Sequence, residues 1–125
     1  MGKKVVLVGH CGPDSSYLRM TVAAAQKGTV VVSADDEQTL TSAIEQGADL
    51  LLFNRILDYG FEEETGVELI KRLKATHPAL RMMLVSNYAD AQEDALKAGA
   101  LPGFGKRELG SPRVVQLLKD ALGEK

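Results

Sequence analysis

The sequence predicts a single α/β domain in which five parallel strands form one sheet and each strand is followed by a helix. Three observations carry that expectation. Short apolar runs alternate with longer segments of helical spacing along all 125 residues. The first four runs are apolar at consecutive positions, as strands covered on both faces are, rather than apolar and polar in turn. Glycine, proline or a capping residue punctuates nearly every junction. Right-handed crossovers of this length then give a three-layer α/β/α sandwich.

The elements follow in order. Residues 5–8 (Val-Val-Leu-Val) are rich in β-branched side chains and stop at Gly9, which makes them the first strand. Residues 29–32 form the second strand, 50–53 the third and 82–85 the fourth. The fifth is expected around residues 103–105, where Pro102 and two glycines weaken the pattern. Asp14 or Ser15 caps the first helix, which presents Leu18, Val22 and Ala25 on one face and stops at Gly28. Asp35 or Asp36 caps the second, with Leu40 and Ile44 inward and Gly47 as its end. The third spans about 66–75, carries Val67, Ile70 and Leu73 at helical spacing, and ends before Pro78. The fourth covers about 90–98 and stops at Gly99. The last begins with Ser111 as cap and Pro112 at the first helical position, then runs through Val114, Val115, Leu118 and Leu122 to Gly123.

Composition narrows the function classes. Lys and Arg number 15 against 17 Asp and Glu, a net charge of -2. An electrostatically driven nucleic-acid binder would carry a basic excess. Cys11 is the single cysteine, so no internal disulfide framework exists, and a lone thiol fits a reducing compartment. The apolar runs are four residues long, far below the roughly 20 needed to span a bilayer. The stretch behind Lys3 and Lys4 is also too short for a signal peptide, which needs about 7–15 apolar residues. Met1-Gly2 lacks the Ser or Thr at position 6 that myristoylation requires. The expectation is a cytoplasmic protein of one domain over residues 1–125, with no membrane and no nucleic acid among its partners.

In a parallel sheet of this kind, functional groups gather at the carboxyl ends of the strands. Those positions hold Gly9, His10 and Cys11, then Ser33 and Asp35, then Asn54 and Arg55, then Ser86 and Asn87, then Lys106. No nucleophile–base pair or carboxylate pair is recognisable among them, so the sequence argues against an enzyme. His10 and Cys11 are adjacent and therefore point apart, which does not make a Cys–His nucleophile. Two adjacent ligands are also too few for zinc, and His77 lies at the other end of the sheet. No metal and no cofactor is expected.

Longer segments sharpen this. Residues 48–54 (Ala-Asp-Leu-Leu-Leu-Phe-Asn), 86–90 (Ser-Asn-Tyr-Ala-Asp) and 99–106 (Gly-Ala-Leu-Pro-Gly-Phe-Gly-Lys) resemble three signature segments of the response-regulator receiver domain. The resemblance covers residues 3–122 and rests on order and spacing more than on any short motif. It implies the flavodoxin-like (βα)5 sandwich with a five-stranded parallel sheet, and a role in two-component signalling or a phosphorelay. It also implies a partner surface along the fourth helix, fifth strand and fifth helix, about residues 91–118, through which such domains often dimerise.

The departures matter as much. The family's phosphoacceptor position matches Asn54, whose amide nitrogen is not nucleophilic and whose oxygen cannot form an acyl phosphate. The family's acidic pair, which holds Mg²⁺, matches a stretch with no acid at positions 9–12, and hard cations want oxygen ligands. Gly103 stands where an aromatic switch residue is expected, and Arg107 where a proline usually follows the lysine. Ser86 and Lys106 survive. The chain therefore resembles an atypical, or pseudo-, receiver that signals by protein–protein contact without Mg²⁺-dependent aspartyl phosphorylation. The alternative is a sensor of a small anion or of redox state, with Gly9, His10, Cys11, Asp14, Arg55, Ser86 and Lys106 forming its pocket. In that reading the segment 9–16 is a loop about two residues longer than the family's, whose backbone N–H groups cradle an anion. Cys11 near a helix start, Lys106 and Arg55 would then be the redox thiol. With no carboxylate at position 54, Lys106 is expected to pair with Asp14, Asp35 or Asp58, to hold an anion, or to face solvent. The long segment 56–65 holds Tyr59, Phe61 and three glutamates; it either covers the core or closes over the pocket as a partner contact.

Overall fold

A computed structural model describes residues 3–57 and 60–122. The elements alternate as expected: β1 (Lys4–Val8), α1 (Gly12–Ala25), β2 (Val30–Ala34), α2 (Glu37–Glu45), β3 (Leu50–Asn54), α3 (Gly66–Thr76), β4 (Met82–Val85), α4 (Ala89–Ala98), β5 (Leu101–Phe104) and α5 (Pro112–Ala121). A short 3₁₀ turn, Lys106–Glu108, precedes α5. The five strands form one parallel sheet in the order β2-β1-β3-β4-β5. This is the flavodoxin-like sandwich. Strand order reverses between β1 and β3, which places the crevice at their carboxyl ends.

Successive residues of β1 and β3 point to opposite faces, so one strand feeds two cores. Val5, Leu7, Leu50 and Leu52 pack with Leu18 and Val22 of α1 and Val114 and Leu118 of α5. Val6, Val8, Leu51 and Phe53 pack with Leu40 of α2, Leu69, Ile70 and Leu73 of α3, and Ala95 of α4. That two-sided burial is why these runs are apolar without alternation. Asp36, Thr65 and Ser111 cap α2, α3 and α5 by accepting the Thr39, Glu68 and Val114 backbone N–H groups.

Three expectations are corrected. First, α1 starts at Gly12, with Cys11 in the capping position and Pro13 in the first turn. Proline lacks only an N–H that the first turn leaves unpaired anyway, so Gly-Pro opens the helix two residues before Asp14. Ser15 N–H donates to the Cys11 carbonyl at 2.9 Å. The extended 9–16 loop does not exist; the turn is Gly9 to Cys11. Second, β2 begins one residue later than expected and is not covered on both sides: Val30 is 51% exposed. It is an edge strand, paired with β1 alone. Third, β5 lies at Leu101–Phe104 and includes Pro102, which an edge strand tolerates. It carries a bulge: Met83 pairs with Leu101 and Val85 with Phe104, so that Leu84 of β4 stands against two residues of β5, Pro102 and Gly103. The extra residue turns Phe104 into the core, where it is 1% exposed. Asp58, Tyr59 and Gly123, named above, lie outside the described residues.

Candidate functional site

The crevice opens at the ends of β1, β3, β4 and β5. A cleft of about 240 Å³ is lined by Asn54, Arg55, Ile56, Val85, Ser86, Asn87, Tyr88 and Lys106. The fold thus brings together four of the eight residues expected to form the site: Asn54, Arg55, Ser86 and Lys106. Gly9, His10, Cys11 and Asp14 sit beside it without lining it.

Asn54 is the last residue of β3, and its side chain is held from both sides. Its amide nitrogen donates to the Gly9 carbonyl at 3.1 Å and to the Ile56 carbonyl at 3.0 Å. Both hydrogens of the amide are therefore used, and a carboxylate in the same pose would face two carbonyl oxygens. Gly9 turns with φ of 74°, and a side chain there would reach to 2.6 Å of a Leu57 methyl. Leu57 lies over this turn, 5% exposed, with Phe61 next to it. An apolar side chain thus covers the backbone of Gly9.

His10 folds inward and is 8% exposed. Its Nε2 lies 2.9 Å from the Leu52 carbonyl. A carbonyl only accepts, so Nε2 carries the proton and Nδ1 is a bare lone pair. That Nδ1 is buried with no partner among the described residues. Burial holds the imidazole below its ordinary 6.5. The Leu52 carbonyl opposes this, Lys106 adds to it, and Asp14 and Asp35 oppose it. His10 is a neutral cap on the end of the sheet.

Lys106 donates to Asp14 at 2.6 Å, closing α1 onto the end of β5. The ammonium is the main reason that the Asp14 carboxyl lies below its ordinary 3.8; burial opposes the shift, and the Cys11 thiol adds to it. Of the two expected partners among the described residues, Asp14 and Asp35, Asp14 pairs with Lys106. Cys11 is exposed at the start of α1. Arg55 stacks within the cleft: its guanidinium lies 4.5 Å from the centre of the Tyr88 ring, which is 58% exposed. Ser86 is buried, and its hydroxyl accepts from the Tyr88 N–H at 3.1 Å, at the start of α4.

The resemblance implies a divalent cation here, and the donor set does not fit one. Gly9 brings no side chain, His10 caps Leu52, Asn54 aims its amide hydrogens at carbonyls, and Asp14 is paired with Lys106. Among the described residues no cluster of three His, Cys, Asp or Glu side chains is placed to hold a metal ion.

Tyr88 and Gln92 were not named at the strand ends by the sequence, and the role of Asn87, which was, is set by tertiary contact. Tyr88 was legible only as part of a motif, although it forms a wall of the cleft. Asn87 accepts from the Arg107 N–H at 3.1 Å and ties the β4–α4 turn to the turn after β5. Gln92 carried no local signal, because its partners are 8, 6 and 12 residues away.

The sequence matches no family model and no curated protein. Solved structures do match. A putative response regulator from Chloroflexus aurantiacus J-10-fl superposes with a TM-score of 0.81 at 19% identity, over 99% of this chain and 100% of that one. NtrX from Brucella abortus gives 0.75 at 22% identity over 98% of this chain, which spans 28% of NtrX. The beryllofluoride-activated NtrC4 receiver domain dimer gives 0.72 at 18% identity, over 95% of each chain. At these identities the likeness is one of fold, and the fold is that of receiver domains.

Proposed function

We propose that this chain is an atypical response-regulator receiver domain that acts in signal transduction by protein–protein contact, without Mg²⁺-dependent aspartyl phosphorylation. The observation that carries the reading is Asn54. It occupies the place of the family's phosphoacceptor, with its amide nitrogen bonded to the Gly9 and Ile56 carbonyls. Beside it, Lys106 is already paired with Asp14. A nucleophilic carboxylate, a metal-binding acid pair and a free lysine are what acyl phosphate chemistry would need here, and these residues supply none of them. The pairing of Lys106 with Asp14 also weighs against the anion-sensing alternative. The exposed position of Cys11 is compatible with oxidation but adds no second group to make it a sensor.

The partner in this reading is another signalling protein, docked on α4, β5 and α5. Beside that face lies a groove of about 660 Å³ that includes Leu96, 47% exposed. A second copy of the chain is one candidate occupant, as the NtrC4 receiver domain forms a dimer. Among the described residues no helix is long and apolar enough to cross a membrane, and the reading places the chain in the cytoplasm.

An amide NMR titration tests the proposal. Mg²⁺, then beryllofluoride, then phosphate without metal are added in turn. The expected result is no saturable shift at Gly9, Asn54, Ser86 or Lys106 in any step. Saturable shifts with Mg²⁺ and beryllofluoride together would overturn it, and shifts with phosphate alone would favour the anion sensor.

A further inference from the structure

We infer that the docking face is set by an internal clamp, the carboxamide of Gln92, which holds α4 onto the ends of β4 and β5. The inference rests on the reading above, in that it assigns the regulation of the α4–β5–α5 face proposed there.

Gln92 sits in the first half of α4, half-buried. Its Nε2 lies 2.9 Å from the Leu84 carbonyl, 3.0 Å from the Ser86 carbonyl and 3.3 Å from the Phe104 carbonyl. Two hydrogens serve three acceptors, the third at longer range. The acceptors lie in the last turn of chain on both β4 and β5, so one helix side chain joins the ends of two strands. The bulge in β5 and the absence of a side chain at Gly103 make the room. A Cβ on Gly103 would collide with the Leu84 carbonyl and come to 2.8 Å of the Gln92 Oε1. Gln92 and Gly103 are a matched pair.

From the other side, α5 grips the same strand. Arg113 donates to the Gly103 carbonyl at 3.1 Å and pairs with Glu108, which accepts from the Gly105 N–H at 2.9 Å. Both flanking helices therefore latch onto successive carbonyls of β5, Gly103 and Phe104. None of these bonds involves Asn54, His10, Asp14 or Lys106. The clamp meets the crevice at Ser86, which lines the cleft and whose carbonyl accepts from Gln92. Buried polar groups that are fully paired specify one arrangement, and unpairing them is costly.

The test is backbone amide hydrogen exchange on the whole chain at about pH 7, with β1 and β3 as internal reference. Gln92→Leu keeps the bulk and removes both donors. The expected result is exchange about tenfold or more faster in α4 and at Ser86, with β1 and β3 within about twofold of wild type. Gln92→Glu separates a clamp from mere packing. A carboxylate cannot donate to carbonyls, whereas its protonated form can. Exchange in α4, taken relative to wild type at each pH, is expected to fall back toward wild type as pH drops from about 7 to about 5. If Gln92→Leu does not fold, Gln92→Glu carries the test alone. Exchange in α4 unchanged in Gln92→Leu, or a Gln92→Glu ratio independent of pH, would overturn the clamp. Beryllofluoride binding would overturn the preceding proposal without altering either exchange result.

Discussion

Asn54 is a side chain whose chemistry is decided by two carbonyl oxygens. Replacing it with Asp puts a carboxylate where Gly9 and Ile56 present acceptors. Asn54→Asp is expected to lose about 1–3 kcal/mol of stability in urea unfolding, because two acceptors lose their donor. It is also expected to gain no mass on treatment with acetyl phosphate and Mg²⁺, since Gly9 and His10 still supply no carboxylate; a phosphoryl adduct in the intact-mass spectrum would contradict this. His10 yields a pH dependence. Its folded pKa is lowered by burial below 6.5. The unfolded chain then binds more protons just below that pH, so stability is complete above about 6.5 and falls as pH drops through it. Denaturant midpoints measured from pH 8 to pH 5.5 should decline in the wild type and stay flatter in His10→Gln. Asp14 works in the opposite range: its contribution is present above the ordinary 3.8 and disappears as pH falls below it. The Lys106–Asp14 pair is about one-third exposed at each end, so Lys106→Gln is expected to cost no more than about 1 kcal/mol. At this scale the sequence identified Asn54, Ser86 and Lys106 and named Asp14 as a partner. It could not identify Gln92, because a carboxamide clamp across two strand ends leaves no periodic or local trace.

The segment joining β3 to α3 is the element that departs most from a simple turn. It folds back on itself: Ile56 and Thr65 form an antiparallel bridge, and the Leu57 N–H donates to the Glu64 carbonyl at 2.8 Å. Leu57 and Phe61 join the core beneath α2 and α3, which agrees with the core-covering expectation for Phe61. Of the three glutamates, Glu62 and Glu64 are exposed and Glu63 is paired. Arg72 of α3 binds Glu63 at 2.6 Å and Glu37 at 2.7 Å, and Glu37 accepts from the Glu62 N–H at 3.1 Å. Arg72 is accordingly held far above the ordinary guanidinium range, first by Glu63 and then by Glu37. Arg72→Leu is expected to speed amide exchange at residues 62–64 by about tenfold while leaving the β-sheet amides unchanged, since the paired groups are partly exposed and the global cost is small. Leu57→Ala is expected to cost about 2–4 kcal/mol in urea unfolding, as a buried leucine does. The five helices and five strands were legible, because 3.6-residue spacing and continuous apolar runs both report burial. Of the ends that slipped, those at α1 and β5 are where proline obscured the pattern, and β2 is an edge strand.

Across the whole molecule, the order β2-β1-β3-β4-β5 leaves two edges, and the two are treated differently. On the β2 edge, Arg19 donates to the Val31 carbonyl at 2.6 Å, covering a group that would otherwise invite another strand. On the β5 edge, a bulge, Pro102 and the Arg113 bond to the Gly103 carbonyl serve the same end beside the proposed docking face. If a second copy docks there, sedimentation velocity should show concentration-dependent association that Leu96→Glu abolishes; a wild-type chain that stays monomeric at every concentration removes self-association from the reading. Stability of Leu96→Glu should remain within about 0.5 kcal/mol, as for an exposed position.

What the sequence determined by itself is the alternation of elements, the two-sided burial of β1, β3 and β4, and the absence of carboxylates at positions 9, 10 and 54. Those follow from residue type and spacing, which act locally. Only the tertiary structure decided that Asn54 is pinned between Gly9 and Ile56, that Asp14 takes Lys106 across a separation of 92 residues, and that Gln92 closes the ends of two strands. These contacts join chain segments that meet only when the sheet is assembled, and a hydrogen bond depends on distance in space, of which sequence spacing carries no record.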